Sequence, residues 1–426
     1  MNTTSKPFGL WTAIALVVGS MIGSGVFLLP ATLASFGAAS LLGWGLTLFG
    51  TLLLALVYSW LSQKITRTGG SYAYSHEAFG PGAGFFVAWS NWISMWSGNA
   101  ALAVAFAGSL GSVFPEATST PIRAAMFALA GLWFCTLVNC VGVREAGRMQ
   151  LIMTILKIVP LILFGLLGLA YIKADSYQPF NPSHQDLFSV ATTTAAITLW
   201  AFLGFEAATI PASSIKDPER TVPRATIIGM LIAGLATMLT CTVVLGLLPS
   251  EVLVKSAAPM ADAATRIWGS SAGLAIGIIA TVSCFGALNG WVLLQAQVPL
   301  AAAKDKLFPS IFGKVDARNT PVAGLLISSL LATTVLISNY SQSLVELFKY
   351  AMLLATAAAL LPYAVSVAGW IKMNQKARPI KLVIAGLAMV YALWALIGTG
   401  SEALLWGAGL LLMGVPVYLY QRYKVS

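Results

Sequence analysis

Residues 19–25 read Gly-Ser-Met-Ile-Gly-Ser-Gly and lie in the middle of an apolar segment near residues 8–36. Three glycines among these seven residues cost an α-helix about 3 kcal/mol relative to alanine. A bilayer supplies no water to the freed backbone groups, so irregular backbone is tolerated there only inside protein or beside a cavity. Glycines can instead form one close-packing face, but seven consecutive residues cover all sides of a helix. The stretch therefore predicts a helix that is interrupted within the membrane.

A second apolar segment carries a similar interruption. Residues 200–211 read Trp-Ala-Phe-Leu-Gly-Phe-Glu-Ala-Ala-Thr-Ile-Pro, so a glycine, a carboxylate and a proline fall at mid-membrane. Gly23 and Gly204 are 181 residues apart, which is close to half the length of the chain that holds the first ten apolar segments. Interrupted helices at corresponding positions of two halves are typical of inverted-repeat transporters. The exposed half-helix ends offer N–H groups to a carboxylate and carbonyls to an ammonium. These are the two charged groups of an α-amino acid.

The composition is that of a membrane protein. The 426-residue chain is 58% hydrophobic and 9% charged, whereas about 25% of the residues of a soluble domain are charged. A surface that faces water cannot be built from such a chain. This excludes a soluble enzyme, a secreted disulfide scaffold and a disordered regulator.

Twelve apolar segments are long enough to cross a bilayer as helices, because its hydrocarbon core requires about 20 residues. They lie near residues 8–36, 40–62, 82–112, 122–142, 150–173, 190–213, 225–248, 271–302, 320–338, 344–370, 379–399 and 401–420. We therefore predict an all-α multi-pass membrane protein with about 12 transmembrane helices. The first segment lacks a cleavage site of small residues and is interpreted as a retained span.

Lys and Arg are distributed unevenly over the loops, and this bias orients membrane proteins. If both termini lie inside, most of the 24 cations fall in inside loops. The cations left outside are Arg123, Lys173, Lys255 and Arg266. We predict a protein of the cell (inner or plasma) membrane with both termini in the cytoplasm. The net charge of +10 then requires no nucleic-acid partner.

The sequence indicates neither a metal site nor an enzyme. Its four cysteines fall inside predicted spans, without metal-ligand spacing to the two histidines. We found no HExxH motif, no G-x-S-x-G motif and no paired intramembrane aspartates. We therefore expect no catalytic residue, no metal and no cofactor. An intramembrane enzyme and a channel are the alternatives from other classes, and no charged pore ring supports a channel.

Five stretches resemble the amino acid–polyamine–organocation (APC) superfamily of transporters. They are GSMIGSGVFLLP (19–30), GGSYAY (69–74), WAFLGFEAA (200–208), DPER with VPRAT (217–226) and TPVAG (320–324). The likeness runs along nearly the whole chain and is strongest to the basic amino acid/polyamine antiporter branch, especially the arginine–agmatine antiporter. It implies a five-plus-five inverted repeat of the LeuT/APC type with helices 1 and 6 interrupted. Residues 1–175 would form the first repeat, 183–370 the inverted repeat, and 371–426 two further spans that often mediate homodimers.

The resemblance also implies a substrate site. The residues that it assigns to the substrate are Met21, Gly23, Ser24, Gly25, Asn99, Trp200, Phe202, Leu203 and Trp291. Ser24 and the neighbouring backbone would meet the substrate carboxylate, and carbonyls of both interruptions would meet the α-ammonium. Asn99 and Trp291 would contact the substrate side chain. Phe202 or Trp200 would close the site as an aromatic gate.

Three departures from the arginine–agmatine antiporter bear on the substrate. Asn91 stands where that protein has a gating tyrosine, and Leu353 where it has a serine. Lys157 is instead similar to a lysine of proton-coupled amino acid transporters, whose ammonium takes the place of a sodium ion. The resemblance as a whole predicts alternating-access exchange of cationic amino acids or their amines, whereas Lys157 and Leu353 favour an alternative. The alternative is a proton-coupled permease for neutral or broadly chosen amino acids.

Two ionisable side chains inside predicted spans are candidates for coupling or gating, because such groups are usually functional. Lys157 either snorkels to the interface or, as a cation, tethers the first span to the eighth. Glu206 is either a proton-sensing carboxylate or a protonated carboxyl that hydrogen-bonds a neighbouring helix. Protons are thus expected partners beside the amino acid or amine substrate and the lipid bilayer.

Overall fold

The protein is described here from a computed structural model. The residues that it describes are 8–141, 146–212, 215–318, 320–338 and 341–425. Lys6 and Arg144, two of the cations counted for the inside loops, lie outside these residues, as do both ends of the chain. The predicted location of the termini therefore stays a prediction.

Within those ranges the chain is built from α-helices and short 3-10 turns. In chain order the α-helices are α1 (Leu10–Met21), α2 (Gly25–Leu33), α3 (Ser40–Lys64), α4 (Ser71–Phe79), α5 (Pro81–Val113), α6 (Pro121–Val141), α7 (Ala146–Gly168), α8 (Leu187–Leu199), α9 (Pro218–Leu247), α10 (Ser250–Leu253), α11 (Pro259–Trp268), α12 (Ser270–Lys304), α13 (Val322–Ser338), α14 (Leu344–Met373), α15 (Pro379–Gly398), α16 (Ser401–Leu412) and α17 (Gly414–Val425). Each predicted apolar segment falls on one or two of these helices.

Nine helical stretches of the described residues are long and apolar enough to cross a membrane, with Leu10–Lys64 counted as one. Two shorter apolar helices lie at Leu187–Phe202 and Val322–Ser338. The chain is thus an all-helical, multi-pass membrane protein. Its helices form their backbone hydrogen bonds internally, as spans in lipid must.

Three helices, α4, α10 and α11, were not predicted from hydropathy, since all are too short to span a bilayer. α4 begins after a turn in which Gly69 and Gly70 have positive φ angles of 127° and 53°, and it packs against α5 and α14. α11 packs against α12. The signal for α4 was available in the Gly-Gly pair, because glycine adopts positive φ without steric cost.

Most helices belong to one of two groups, and α14 joins them by packing against α15. On one side α3 packs against α8, α9 and α15, and α1 packs against α7 and α9. On the other side the long helix α5 packs against α12, α14, α6 and α13. α1 meets α12, and α2 meets α5, at few positions. The interruption between α1 and α2 lies at this junction.

We expect Gly50→Ala to lower the free energy of unfolding by about 1–3 kcal/mol, the usual cost of overpacking. A Cβ atom at Gly50 would overlap the ring of Tyr391, which packs α15 against α3. Gly45 on the same helix is the matched control, because its Cβ position has no atom within 4 Å. Thermal unfolding of the purified variants in detergent measures both. Equal melting temperatures for the two variants would contradict this packing.

Candidate functional site

The first interruption lies where the glycine-rich stretch predicts it. α1 ends at Met21 and α2 begins at Gly25. Ile22 between them has extended backbone, with φ −81° and ψ 93°. Carbonyl and N–H groups are therefore freed in the interior of the bundle, where they require partners other than water.

The second interruption follows α8. A 3-10 turn covers Trp200–Phe202, Leu203 is extended, and a further 3-10 turn covers Ala207–Thr209. Gly204 between the turns has a φ of 98°. A Cβ atom on Gly204 would lie 3.0 Å from the Cβ atom of Ser20. Glycine is thus required twice here, for its backbone angle and for the close approach of the two interruptions.

Two indole groups bond to the first interrupted helix from different sides. Trp200 donates its Nε1–H to the Ser24 hydroxyl, with the atoms 3.1 Å apart. Trp291 on α12 donates its Nε1–H to the Ser20 carbonyl at 3.2 Å. These bonds hold both interruptions and α12 around one space.

That space is a cavity lined by α1, α2, the second interruption, α5, α12 and α14. The predicted residues that line it are Met21, Gly23, Ser24, Gly25, Trp200, Leu203, Glu206 and Trp291. The lining residues that were not predicted as site residues are Ser20, Asn91, Ser94, Met95, Gly98, Leu102, Ala359 and Tyr363. The structure therefore brings most of the predicted residues together, and their contact with substrate stays a prediction.

Glu206 supplies the carboxylate of the cavity wall. Its side chain is 9% exposed, and its Oε1 accepts a hydrogen bond from the Tyr363 hydroxyl at 3.0 Å. Its Oε2 has no hydrogen-bond partner in the described part of the chain. Glu206 has no ion-pair partner in the part of the chain that the structure describes. A buried carboxylate that lacks a cation is costly, so a cationic ligand in the cavity would supply the missing partner.

Two predicted site residues, Asn99 and Phe202, lie outside the lining of this cavity, and their contact with substrate stays a prediction. Asn99 is fully buried and donates its Nδ2–H to Gln295 Oε1 at 2.7 Å, because an amide inside a membrane requires a partner. Phe202 is fully buried and packs against Trp44, with the ring centroids 6.2 Å apart. Of the two predicted aromatic gates, Trp200 is the one at the cavity.

Lys157 lies behind the first interruption. Its side chain is 4% exposed, and its Nζ donates to the freed carbonyl of Ile22 at 3.4 Å. The Lys157 Cε lies beside Gly286 of α12, 3.7 Å from the position that a Cβ atom on this glycine would take. The ammonium is thus held between α1 and α12 in the bundle interior, and this geometry favours the tether over snorkelling.

A second cavity lies between α1, α6 and α12. It shares Ser20 and Trp291 with the first cavity, and its other end reaches Phe8 and Ile215. Its lining is largely apolar, with Asn139 and Asn289 among the polar exceptions. Ser20 and Trp291 therefore lie between the two cavities.

We expect Gly204→Ala to reduce transport about tenfold. Alanine strains the positive φ angle at a cost of about 1–3 kcal/mol, and its Cβ would press on Ser20 and Trp291 at 3.0 and 3.2 Å. Gly290→Ala is the matched control beside the same indole, because no atom lies within 4 Å of its Cβ position. Initial rates in proteoliposomes compare the two. Wild-type rates for Gly204→Ala would show that the interruptions do not require this close approach.

Comparison with known proteins identifies the family of this chain. The profile of the amino acid permease family matches residues 8–416. The cadaverine/lysine antiporter of Escherichia coli (strain K12) is 30% identical over an alignment of 434 positions, which covers 99% of this chain and 96% of that protein. The putrescine transporter PotE of the same strain is 29% identical over 421 residues, covering 97% and 96%. PotE of Haemophilus influenzae is 28% identical over 431 residues, covering 100% and 99%. The resemblance inferred from the motifs is confirmed, and the chain belongs to the amino acid permease family of membrane transporters.

Proposed function

We propose that the protein is a secondary active transporter that exchanges cationic amino acids for their decarboxylated amines by alternating access. The observation that carries this proposal is the buried Glu206 carboxylate, which lines the cavity and has one oxygen without a partner. A substrate ammonium fits this carboxylate, because a charge-assisted hydrogen bond would satisfy both groups. The protein is a transporter and not an enzyme.

The other walls of the cavity carry groups that match the remaining charged and apolar parts of such a substrate. α2 begins at Gly25, which lines the cavity, and N–H groups at a helix N-terminus bind carboxylates. The Met21 carbonyl accepts the backbone N–H of Gly23 at 3.1 Å, and its second lone pair can accept an α-ammonium. The indoles of Trp200 and Trp291 offer flat faces to the methylene chain or to a cation. An amino acid with a cationic side chain thereby finds a partner for each of its three charged groups.

The relatives support the same substrate class. One is named for cadaverine and lysine and two are named for putrescine. Cadaverine is lysine without its carboxylate, so an exchanger of this pair releases the product of a decarboxylation as it takes up the amino acid. We extend this pairing to the present chain.

The proposal includes a membrane topology. Twelve spans comprise a first repeat (1–175), an inverted repeat (183–370) and two further spans (371–426), with both termini in the cytoplasm. The interruptions at α1–α2 and after α8 support the two repeats, because they fall early in each half. In this proposal a homodimer forms through the last helices, with α16 and α17 at its interface.

Lys157 favours a second candidate function, a proton-coupled permease for neutral or broadly chosen amino acids. Its Nζ bonds the Ile22 carbonyl, where a reversible change of charge would loosen the first interrupted helix. Under this alternative a proton gradient drives uptake into empty vesicles. Under exchange, uptake requires substrate on the opposite side.

Counterflow in proteoliposomes separates the two functions. Vesicles are loaded with unlabelled lysine, cadaverine, putrescine or leucine, or left empty, and the uptake of labelled lysine is followed with and without a pH gradient. We expect uptake only into vesicles loaded with lysine or a diamine. Uptake into empty vesicles that follows the pH gradient would instead establish the permease.

A further inference from the structure

Five cations lie together at one face of the bundle, where α3 ends and where α14 turns into α15. They are Lys64, Lys372, Lys376, Arg378 and Lys381. Lys64 donates its Nζ–H to the Asn374 side chain, which connects the end of α3 to the turn. Lys372 donates to the carbonyl of Ala78 at 2.9 Å, which connects the same turn to α4. We call these five residues the basic cluster.

Two tryptophans form the floor of the basic cluster. The rings of Trp60 on α3 and Trp370 on α14 are 4.9 Å apart between centroids. Lys381 Nζ lies 4.9 Å from the centroid of the Trp60 ring. Tryptophan is enriched at the level of lipid headgroups, so this floor puts the basic cluster at the boundary between hydrocarbon and water.

The positive charge of the basic cluster is not compensated by neighbouring carboxylates. Neither of the segments 60–72 and 370–381 contains Asp or Glu. Glu77 on the adjoining α4 forms no ion pair in the described part of the chain. The first turn of α15 has no acidic residue, and its N-cap residue Arg378 makes no capping hydrogen bond through its side chain. An anion at this point would therefore meet unpaired cations.

An apolar stripe on α15 runs from the basic cluster into the hydrocarbon. Ile380, Val383 and Leu387 are 62%, 55% and 46% exposed, and their spacing puts them on one face of the helix. A cationic head site above a lipid-facing apolar stripe fits a phospholipid better than a soluble phosphate, which has no chain to cover the stripe.

We propose that the basic cluster binds the phosphate of an anionic phospholipid, whose acyl chains lie along the exposed face of α15. Clusters of this size beside a transmembrane helix bind anionic lipid headgroups. The bound lipid would join α3, α14 and α15, and α14 carries Tyr363, the hydrogen-bond partner of Glu206. The proposal relies on the proposed topology only for the choice of leaflet, which is the cytoplasmic one.

Native mass spectrometry of the full-length protein in detergent tests the proposal, with phosphatidylglycerol and phosphatidylcholine as probes. The variant Lys376→Gln/Arg378→Gln/Lys381→Gln removes the three cations of the cluster whose side chains make no hydrogen bonds within the described chain. We expect it to bind phosphatidylglycerol roughly 100-fold more weakly, since each cation near a headgroup contributes severalfold. Phosphatidylcholine binding should not change. Conservative Lys376→Arg/Lys381→Arg should retain the wild-type affinity.

A matched control removes three cations that are interspersed with carboxylates, as Lys304→Gln/Lys306→Gln/Lys314→Gln. This control should bind phosphatidylglycerol as the wild type does. Equal losses in both triple variants, or no loss in the first, would overturn the proposal. Displacement of the lipid by millimolar glycerol phosphate would also overturn it, because the site would then take a soluble phosphate.

If the triple variant does not fold, Arg378→Gln alone should still weaken binding severalfold. Binding is measured without transport, so failure here leaves the proposed exchange untouched.

Discussion

Replacing Glu206 with glutamine is expected to lower the rate of lysine and cadaverine exchange at low substrate concentration by about 100-fold or more. Removing one partner of a buried charge pair costs about 2–5 kcal/mol, and each 1.4 kcal/mol is a factor of ten. Glutamine retains the volume of glutamate and an oxygen that accepts the hydrogen bond from Tyr363. The loss therefore reports the charge that faces the cavity, and initial rates of counterflow in proteoliposomes measure it.

The control for this variant is Glu402→Gln, which removes an equal charge from an exposed position in the first turn of α16. Its exchange rate should match the wild type. Leucine uptake, where it is detectable, should fall less in Glu206→Gln than lysine uptake, because leucine has no side-chain ammonium. A uniform loss for all substrates would assign Glu206 to the structure of the second interruption and not to recognition of the cation.

Replacing Lys157 with methionine is expected to slow exchange by about tenfold to 100-fold. A hydrogen bond to a charged group contributes about 1.5–3 kcal/mol, and this bond holds the carbonyl of Ile22 at the interruption. Methionine fills similar space without the ammonium, so the carbonyl end of α1 loses its partner while the packing beside α12 is retained. The variant then lacks the Lys157–Ile22 contact, which we expect to stabilise one conformation of the transport cycle. Counterflow rates across pH 5 to 8 measure the effect.

Lys304→Met serves as the control, because Lys304 is an exposed cation in the last turn of α12. It should exchange lysine at the wild-type rate. A Lys157→Met protein that transports at the wild-type rate with unchanged pH dependence would refute the tether. Loss of folded protein in detergent would be seen separately as a lower melting temperature, so a structural defect is distinguishable from slow exchange.

The interruptions could be predicted because their signals are local. Glycines at residues 19–25 and the Gly204–Glu206 pair are anomalies within apolar segments, and no knowledge of neighbouring helices is needed to detect them. Each apolar segment coincides with helices for the same reason, since hydropathy is a property of a continuous stretch. Residues of both interruptions line the cavity, as expected for helix breaks inside a membrane.

The partners of side chains on other helices could not be predicted in this way. Asn99 was assigned to substrate, yet its amide bonds Gln295 on α12, which lies 196 residues away. Tyr363 gave only a weak signal, a hydroxyl beside a proline in an apolar segment, and its contact with Glu206 depends on how α14 packs. Whether Lys157 snorkels or tethers likewise depends on which helices surround it. These outcomes depend on tertiary packing and not on periodicity or composition.

Equilibrium binding to the purified protein tests most directly whether the cavity at the two interruptions recognises a cation through Glu206. Labelled cadaverine is bound to the wild type and to Glu206→Gln and displaced with lysine, putrescine or leucine. We predict saturable binding to the wild type that lysine and putrescine displace and leucine does not, with binding weakened about 100-fold or more in the variant. Equal affinity of both proteins for cadaverine, or displacement by leucine as readily as by lysine, would contradict the account.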